Sequence, residues 1–256
     1  MSSGKARGRG RPPGRTAQGQ QARDRLHRTA LALIAKQGYA ATTLRGIAVA
    51  ADVSPALVYR YFDSKQAIVM ELYEQLTLAY AERAEAALRG SSDDRAQPWS
   101  QGYMLAVTTS LEVLAPHRPT LVELLPLLVG DRSSGVLADN TSEPRQRVAQ
   151  VFLDLVARAA DAPPAGLLAP LGRLLYLSHL LIILFWLADR SPGQRATQGL
   201  LDRLRGALPM AGLALAMPGA RTFIATADAL VRDALLAPQD AGSGYPSPSM
   251  PPDRER

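Results

Sequence analysis

The 256-residue sequence predicts an all-α fold, and three observations carry that prediction. Apolar side chains recur at helical spacing almost throughout residues 20–237. Strand signals are scarce: β-branched residues are few, and no alternating run is closed by Asn-Gly or Asp-Gly. Clusters of Pro, Gly and Asp fall between the periodic stretches, where they stop helices. Apolar residues make up 47% of the chain, enough for a sizeable core, and this excludes disorder throughout.

Taken in order, residues 1–19 are Gly, Arg, Pro and Ser with almost nothing to bury, and predict a disordered basic arm. The first helix is expected over Gln21–Gln37, with Leu26, Ala30, Leu33 and Ile34 on one face and Gly38 as its stop. A short helix follows over Thr43–Ala50, with Thr43 at its cap. Another covers Pro55–Tyr61, where Ser54 caps and Pro55 takes a position whose N–H would be unpaired anyway. Asp63 and Gln66 have capping-box spacing and predict a long helix to Leu88. Ser91–Ala96 reads as a break. Later helices are expected over Pro98–Ala115, Pro119–Val129, Pro144–Ala160, Gly166–Ala188, Pro192–Ala214 and Gly219–Leu236. Residues 238–256 read as a second disordered tail.

The charge is unevenly placed. Of the net +6, residues 1–65 hold +9, so the remainder carries −3. A basic amino-terminal quarter on a mildly acidic body suggests a polyanion held at one end. The absence of cysteine excludes disulfides, thiolate zinc sites and a thiol nucleophile. His27, His117 and His179 are too far apart in sequence for a His-x-x-x-His pair, and no phosphate loop or Gly-x-Ser-x-Gly occurs. No enzyme activity, metal or cofactor is therefore expected. The basic N-terminus is followed by no apolar stretch, so it does not read as a secretory signal. The apolar run Leu174–Ala188 is 15 residues long; a span needs about 20. It reads as a buried helix, and the expected location is cytoplasmic, without membrane contact.

The sharpest motif is Leu44–Tyr61, LRGIAVAADVSPALVYRY: two short helices joined by the turn Ala51-Asp52-Val53. Such a pair crosses steeply, so its inner face needs small and apolar residues. Ile47, Ala48, Ala51, Val53 and Val58 supply them. Asp52 stands where the turn calls for φ > 0, which Gly adopts most cheaply and Asp tolerates. The longer run Gly38–Tyr73 strongly resembles the DNA-binding domain of TetR-family transcriptional regulators. The matching parts are Thr42-Thr43, Ile47-Ala48, Ala51-x-Val53-Ser54, Val58-Tyr59-x-Tyr61-Phe62 and Ser64-Lys65. Asp52 and Val58 depart mildly from the family, which usually has Gly and Leu there.

The resemblance implies a helix-turn-helix DNA-binding domain over residues 20–66, a helical ligand-binding and dimerisation domain over 67–237, and a homodimer on pseudo-palindromic operator DNA. It places Ser54, Pro55, Ala56, Leu57 and Arg60 at the start of the helix that enters the major groove. Arg60 suits guanine O6 and N7 or, equally, a phosphate. Ala56 and Leu57 offer only apolar contacts, and Arg45 on the preceding helix adds a further donor. By resemblance Thr43, Tyr59, Tyr61 and Lys65 clamp phosphates, which set register rather than sequence. Arg9-Gly10-Arg11-Pro12 in the arm resembles an AT-hook core, suited to a narrow A·T minor groove; a nonspecific basic tail is the equal alternative.

The same resemblance implies a small-molecule effector bound in the body. The candidate lining residues are the large or polar-tipped Trp99, Tyr103, Met104, His117, Tyr176, His179 and Trp186, with Phe185 beside them. For each of them ordinary core packing is the competing reading. Gly166–Ala188 is the first choice for the dimer interface, paired with either Pro192–Ala214 or Gly219–Leu236. A ligand-released repressor is the leading expectation. An architectural DNA-binding protein without a ligand is the alternative.

Overall fold

The computed structural model describes residues 17–90, 97–130, 142–215 and 217–233. Among them there is no strand. The helices are α1 (Ala17–Gln37), α2 (Leu44–Ala50), α3 (Pro55–Tyr61), α4 (Lys65–Gly90), α5 (Trp99–Leu114), α6 (Arg118–Gly130), α7 (Ser142–Ala157), α8 (Ala165–Ala188), α9 (Arg195–Ala214) and α10 (Pro218–Val231). One-turn 3-10 helices precede α6 at Ala115–His117 and α9 at Pro192–Gln194. The expected disordered arm falls outside the described residues up to 16; from Ala17 the chain is already helical, so α1 begins four residues earlier than expected. The predicted break at Ser91–Ala96 and the tail 238–256 also lie outside the described residues.

The head, α1–α3 with the start of α4, is organised by its helix ends. Gly38 closes α1 at φ 86°, donating its N–H to Ile34 O at 2.8 Å. Thr43 caps α2 by accepting from Gly46 N, and Ser54 caps α3 by accepting from Leu57 N. Each cap is worth about 1 kcal/mol. The capping box expected from Asp63 does not form. Ser64 takes that place instead, its hydroxyl accepting from Ala67 N at 3.0 Å, and α4 starts at Lys65. A residue with a short hydroxyl one position closer to the helix reaches the third N–H equally well, and this shifts the start by one. Leu26, Ala30, Ile34, Ile47, Val58 and Phe62 close the head's core with Ile68 of α4.

The body is built on the second half of α4. There Leu76, Tyr80 and Ala84 turn inward against α5 and α7. α8 lies along α7, α10 lies on α8, and α9 leans on α5. The contact of α7 with α8 is close at Gly172. A Cβ there would stand 2.7 Å from Leu153 Cδ2 and 3.1 Å from Leu153 Cα. α8 spans 24 residues, longer than its 15-residue apolar run, so by length and composition it is long enough to cross a membrane. Here it packs against α7, α10 and α6, with Leu171, Leu175, Ile182 and Trp186 buried.

Two helix ends in the body are closed from far along the chain. Asp161 Oδ1 accepts from Trp99 N at 2.8 Å and so caps α5. Arg118, at the start of α6, donates to the carbonyls of Trp186, Leu187 and Asp189 at the end of α8. A cation suits that end of the helix dipole. α6 also packs on α1, so it joins α8 to the head.

Candidate functional site

The helix-turn-helix presents its outer surface as the sequence suggests. α2 and α3 are joined through Asp52, which has φ 53°, the left-handed conformation expected of it. Val53 N donates to Ala48 O at 3.0 Å and Asp52 N to Val49 O at 3.1 Å, tying the turn to α2. Ile47, Ala48 and Val58 are fully buried. This leaves Ser54, Pro55, Ala56, Tyr59 and Arg60 exposed, and Leu57 and Tyr61 half-buried. Arg45 and Thr43 are exposed on the α2 side. Tyr59 is the large side chain that stands out of α3, 50% exposed, while Tyr61 packs partly onto the core.

Lys65 sits differently from an open clamp. Its ammonium donates to Tyr39 O at 2.7 Å and lies 4.4 Å from the centre of the Tyr39 ring. It therefore ties the end of α1 to the start of α4. Two further residues stand beside this face. Val49 is 81% exposed, one helical turn after Arg45. Arg25, from α1, donates to Ala51 O in the turn at 3.3 Å. Val49 could have been found by noting that it lies off the Ile47–Ala48 face. Nothing in the sequence alone marks Arg25 for the turn. Arg9 and Arg11 lie outside the described residues.

The body contains a cavity of about 120 Å³ between α4, α5, α6, α7 and α8. Leu72, Leu76, Leu121, Leu124, Val148 and Ile183 give it apolar walls. Of the expected ligand residues, Tyr176 and His179 line it. Trp99, Tyr103, Met104, His117 and Trp186 do not. Trp99 is buried at the capped start of α5. Tyr103 hydrogen-bonds Ser178 at 2.6 Å, and Met104 is packed in the core. Trp186 lies under the Arg118 guanidinium, 5.4 Å away. His117 is half-buried before α6, its pKa lowered by burial and then by His27. Phe185 is 44% exposed. These side chains were chosen for size and polarity, and in a helical body such residues are shared among several interhelical seams.

Four polar side chains outside the expected set also line this cavity: Tyr73, Thr77, Tyr80 and Ser110. Tyr80 stacks on His179, their ring centres 5.5 Å apart and nearly parallel. His179 Nε2 is hydrogen-bonded to Ser110 Oγ at 2.8 Å. Burial lowers the His179 pKa to about 3, so its ring is neutral. A second, larger groove of about 590 Å³ runs between α4, α5 and α7. Its charged lining includes Glu85, Arg89, Asp154 and Arg158, and the i,i+4 pairs Arg89–Glu85 and Arg158–Asp154 are already closed. Among the described residues no group of three His, Cys, Asp or Glu is placed to hold a metal ion.

A short-helix reading head on a larger helical body is the architecture of a bacterial helix-turn-helix transcription regulator. Residues 26–72, the head with the start of α4, match the family described as bacterial regulatory proteins, tetR family. The fold agrees with that of a TetR transcriptional regulator from Nitrosomonas europaea (TM-score 0.52, 21% identity, covering 73% of this chain and 97% of that one). It also agrees with the TetR-family regulator PfmR from Thermus thermophilus (0.52, 18%, 71% and 97%) and with a tetR-family regulator from Streptomyces coelicolor (0.53, 21%, 82% and 89%). No curated protein matches the chain.

Proposed function

We propose that the protein is a cytoplasmic homodimeric repressor that binds a pseudo-palindromic operator through α3 and leaves it when a small molecule fills the cavity of the body. The observation that carries the reading is the α2–α3 face. A buried hinge of Ile47, Ala48 and Val58 holds Ser54, Pro55, Ala56, Tyr59 and Arg60 outward on one short rigid helix. A rigid helix with an open first turn, followed by the exposed Tyr59 and Arg60, suits entry into a major groove. Thr43, Tyr59, Tyr61 and Lys65 are assigned to phosphates, Arg45, Arg60, Ala56 and Leu57 to base edges, and Arg9 and Arg11 to the minor groove. A two-fold operator requires a two-fold protein. The support for the dimer is the apolar surface of two packed helices: Leu181 and Phe185 on α8, Phe223 and Leu230 on α10. α9 also exposes Met210 and Leu213, but α10 packs more extensively on α8 and is assigned as its partner. α9 leans on α5 instead. The same surface, covered by a second subunit, gives α8 no membrane to cross.

A ligand shifts a protein between states only by binding one of them more tightly. The path offered here runs from the cavity through α6, which packs on α1 and whose Arg118 holds the end of α8. The test is selection of fragments of its own genome by the full-length protein at near-physiological salt, followed by sequencing. A short inverted repeat at a few loci is expected. Broad A·T-rich enrichment without a repeat overturns the reading in favour of an architectural DNA-binding protein.

A further inference from the structure

The cavity between α4 and α8 is the ligand site assumed under the proposed function, and its chemistry narrows what it accepts. None of the residues lining it is Asp, Glu, Lys or Arg. Its charged forms are suppressed as well. Burial holds His179 neutral, and burial raises the pKa values of Tyr73, Tyr80 and Tyr176. Arg145 acts on Tyr73 and Tyr176 through space but does not line the cavity. An ion entering such a site loses its hydration with no opposite charge to meet it.

Two polar atoms in the wall are nevertheless left over. Tyr80 Oη and His179 Nδ1 are buried and have no hydrogen-bond partner. Their residues are 3% and 2% exposed. A buried polar group without a partner is costly, and native structures rarely tolerate two in one place without a function. The two rings stack, and both side chains belong to the lining of the same mainly apolar space. The size sets a further limit. A dry apolar cavity of about 150 Å³ holds one benzene, and this one is of about 120 Å³.

We infer that the body binds a small, uncharged, mainly apolar molecule, of about one ring or a chain of similar size, whose single hydroxyl or carbonyl group is held by Tyr80 Oη and His179 Nδ1. The inference rests on the proposed ligand-binding reading of the body. The tyrosine hydroxyl donates to the ligand oxygen. His179 accepts a ligand hydroxyl proton or donates, according to the tautomer that its bond to Ser110 fixes.

Calorimetric titration of the full-length protein with benzyl alcohol, toluene, benzoate and benzylammonium tests it. Benzyl alcohol is expected to bind at least tenfold tighter than toluene, and the two ions at least tenfold weaker than the alcohol. In Tyr80→Phe the preference for benzyl alcohol over toluene is expected to fall at least fivefold. The variant's melting temperature should equal or exceed that of the wild type, because only an unpartnered hydroxyl is removed. An ion binding as tightly as the alcohol, equal affinities for alcohol and toluene, no binding of either neutral probe, or an unchanged preference in Tyr80→Phe each overturns it. Release from the DNA fragments recovered above is measured separately. Binding of benzyl alcohol without release keeps the ligand class and removes the release reading. Release by benzoate alone does the reverse.

Discussion

Head and body differ in how their helices are closed: the body closes α9 locally through Asp189 and Ser191 but adds ties from far along the chain. In the head, α2, α3 and α4 are each capped by a hydroxyl three residues before the N–H it accepts: Thr43 for Gly46, Ser54 for Leu57, Ser64 for Ala67. In the body, α5 is capped by Asp161, 62 residues away, and the end of α8 is held by Arg118 from about 70 residues back. The interior follows the same division. The head's core is mainly apolar, and its two buried polar side chains, His27 and Thr42, bond to backbone carbonyls. The body buries Ser110 with His179, pairs Tyr103 with Ser178, and sets Asp228 against Arg173. Locally closed helices make a small unit whose shape depends on few partners, as a reading head requires. Helices closed at long range depend on one another, which suits the transmission of a binding event proposed for the body.

The largest expected effect breaks the head alone. Phe62 is 2% exposed, against His27, whose ring lies 6.1 Å from it. Phe62→Ala should cost about 3–5 kcal/mol. A unit of some 55 residues has only about 3–8 kcal/mol to lose. The head should therefore unfold while the body keeps its helices. Hydrogen exchange would show protection lost over α1–α3 and kept over α5–α8. Protection lost everywhere would mean that α4, which runs through both parts, makes them one cooperative unit.

The next effect belongs to the body. Arg173 holds the Asp228 carboxylate by two bonds of 2.6 Å, and Asp228 is 2% exposed. Arg173→Met leaves the carboxylate with Arg232 at 3.4 Å. Breaking a buried pair costs about 3–5 kcal/mol. With Arg232 remaining, and Arg173 partly exposed, about 2–3 kcal/mol is expected in chemical denaturation. The pH dependence has a definite sign. The Arg173 guanidinium holds the Asp228 pKa below its ordinary 3.8. Its contribution is thus present above that value and lost as pH falls through the lowered one. The gap between wild type and variant should be full at pH 7 and shrink below about pH 4. A gap that does not change with pH would remove the ion pair as the cause.

This difference also explains what could be read from the sequence. Ser54-Pro55, Thr43 and Gly38 act on their own neighbours, so a window of a few residues contains both partners, and α2 and α3 were placed to the residue or one away. Among the caps of the head the one difference, Ser64 in place of Asp63, is between two adjacent cap formers, while α1 starts four residues earlier than expected. In the body Asp161, in the Asp-Ala-Pro-Pro stretch between α7 and α8, caps α5 although nothing in either window names the other. The cavity suffered most. Its two unpartnered atoms come from α4 and α8, a hundred residues apart, and Tyr80 is one of many apolar-face residues along α4. His179 stands out in the sequence only as a polar-tipped side chain inside the apolar run Leu174–Ala188.

Lys65 tests whether the division is strict, since it is a long-range tie inside the head. Its bond to Tyr39 O is charge-assisted and partly buried. Lys65→Met should lower stability by about 1–2 kcal/mol with no DNA present. Arg60→Met, at an exposed position, should stay within about 0.5 kcal/mol of wild type. The salt dependence of operator binding then separates scaffold from contact. An equal slope for Lys65→Met gives the lysine to the scaffold alone; a slope flatter by about one unit gives it a phosphate as well.

The smallest effect tests the local rule at its narrowest point. Asp52 has φ 53° and is held there by the two backbone bonds that tie Asp52 and Val53 to α2. An ordinary L-residue pays about 1–2 kcal/mol in this conformation, and Asp somewhat less. Asp52→Ala should therefore lose about 1 kcal/mol. Asp52→Gly removes the same carboxylate but relieves the backbone, while it gives the unfolded chain more freedom, so the two terms should leave it within about 0.5 kcal/mol of wild type. The order Gly at or above Asp, both above Ala, in thermal melts of the three proteins assigns the role of Asp52 to its backbone. If Gly falls as far as Ala, the carboxylate itself holds the turn, and the head too depends on a side-chain partner that its local sequence does not reveal.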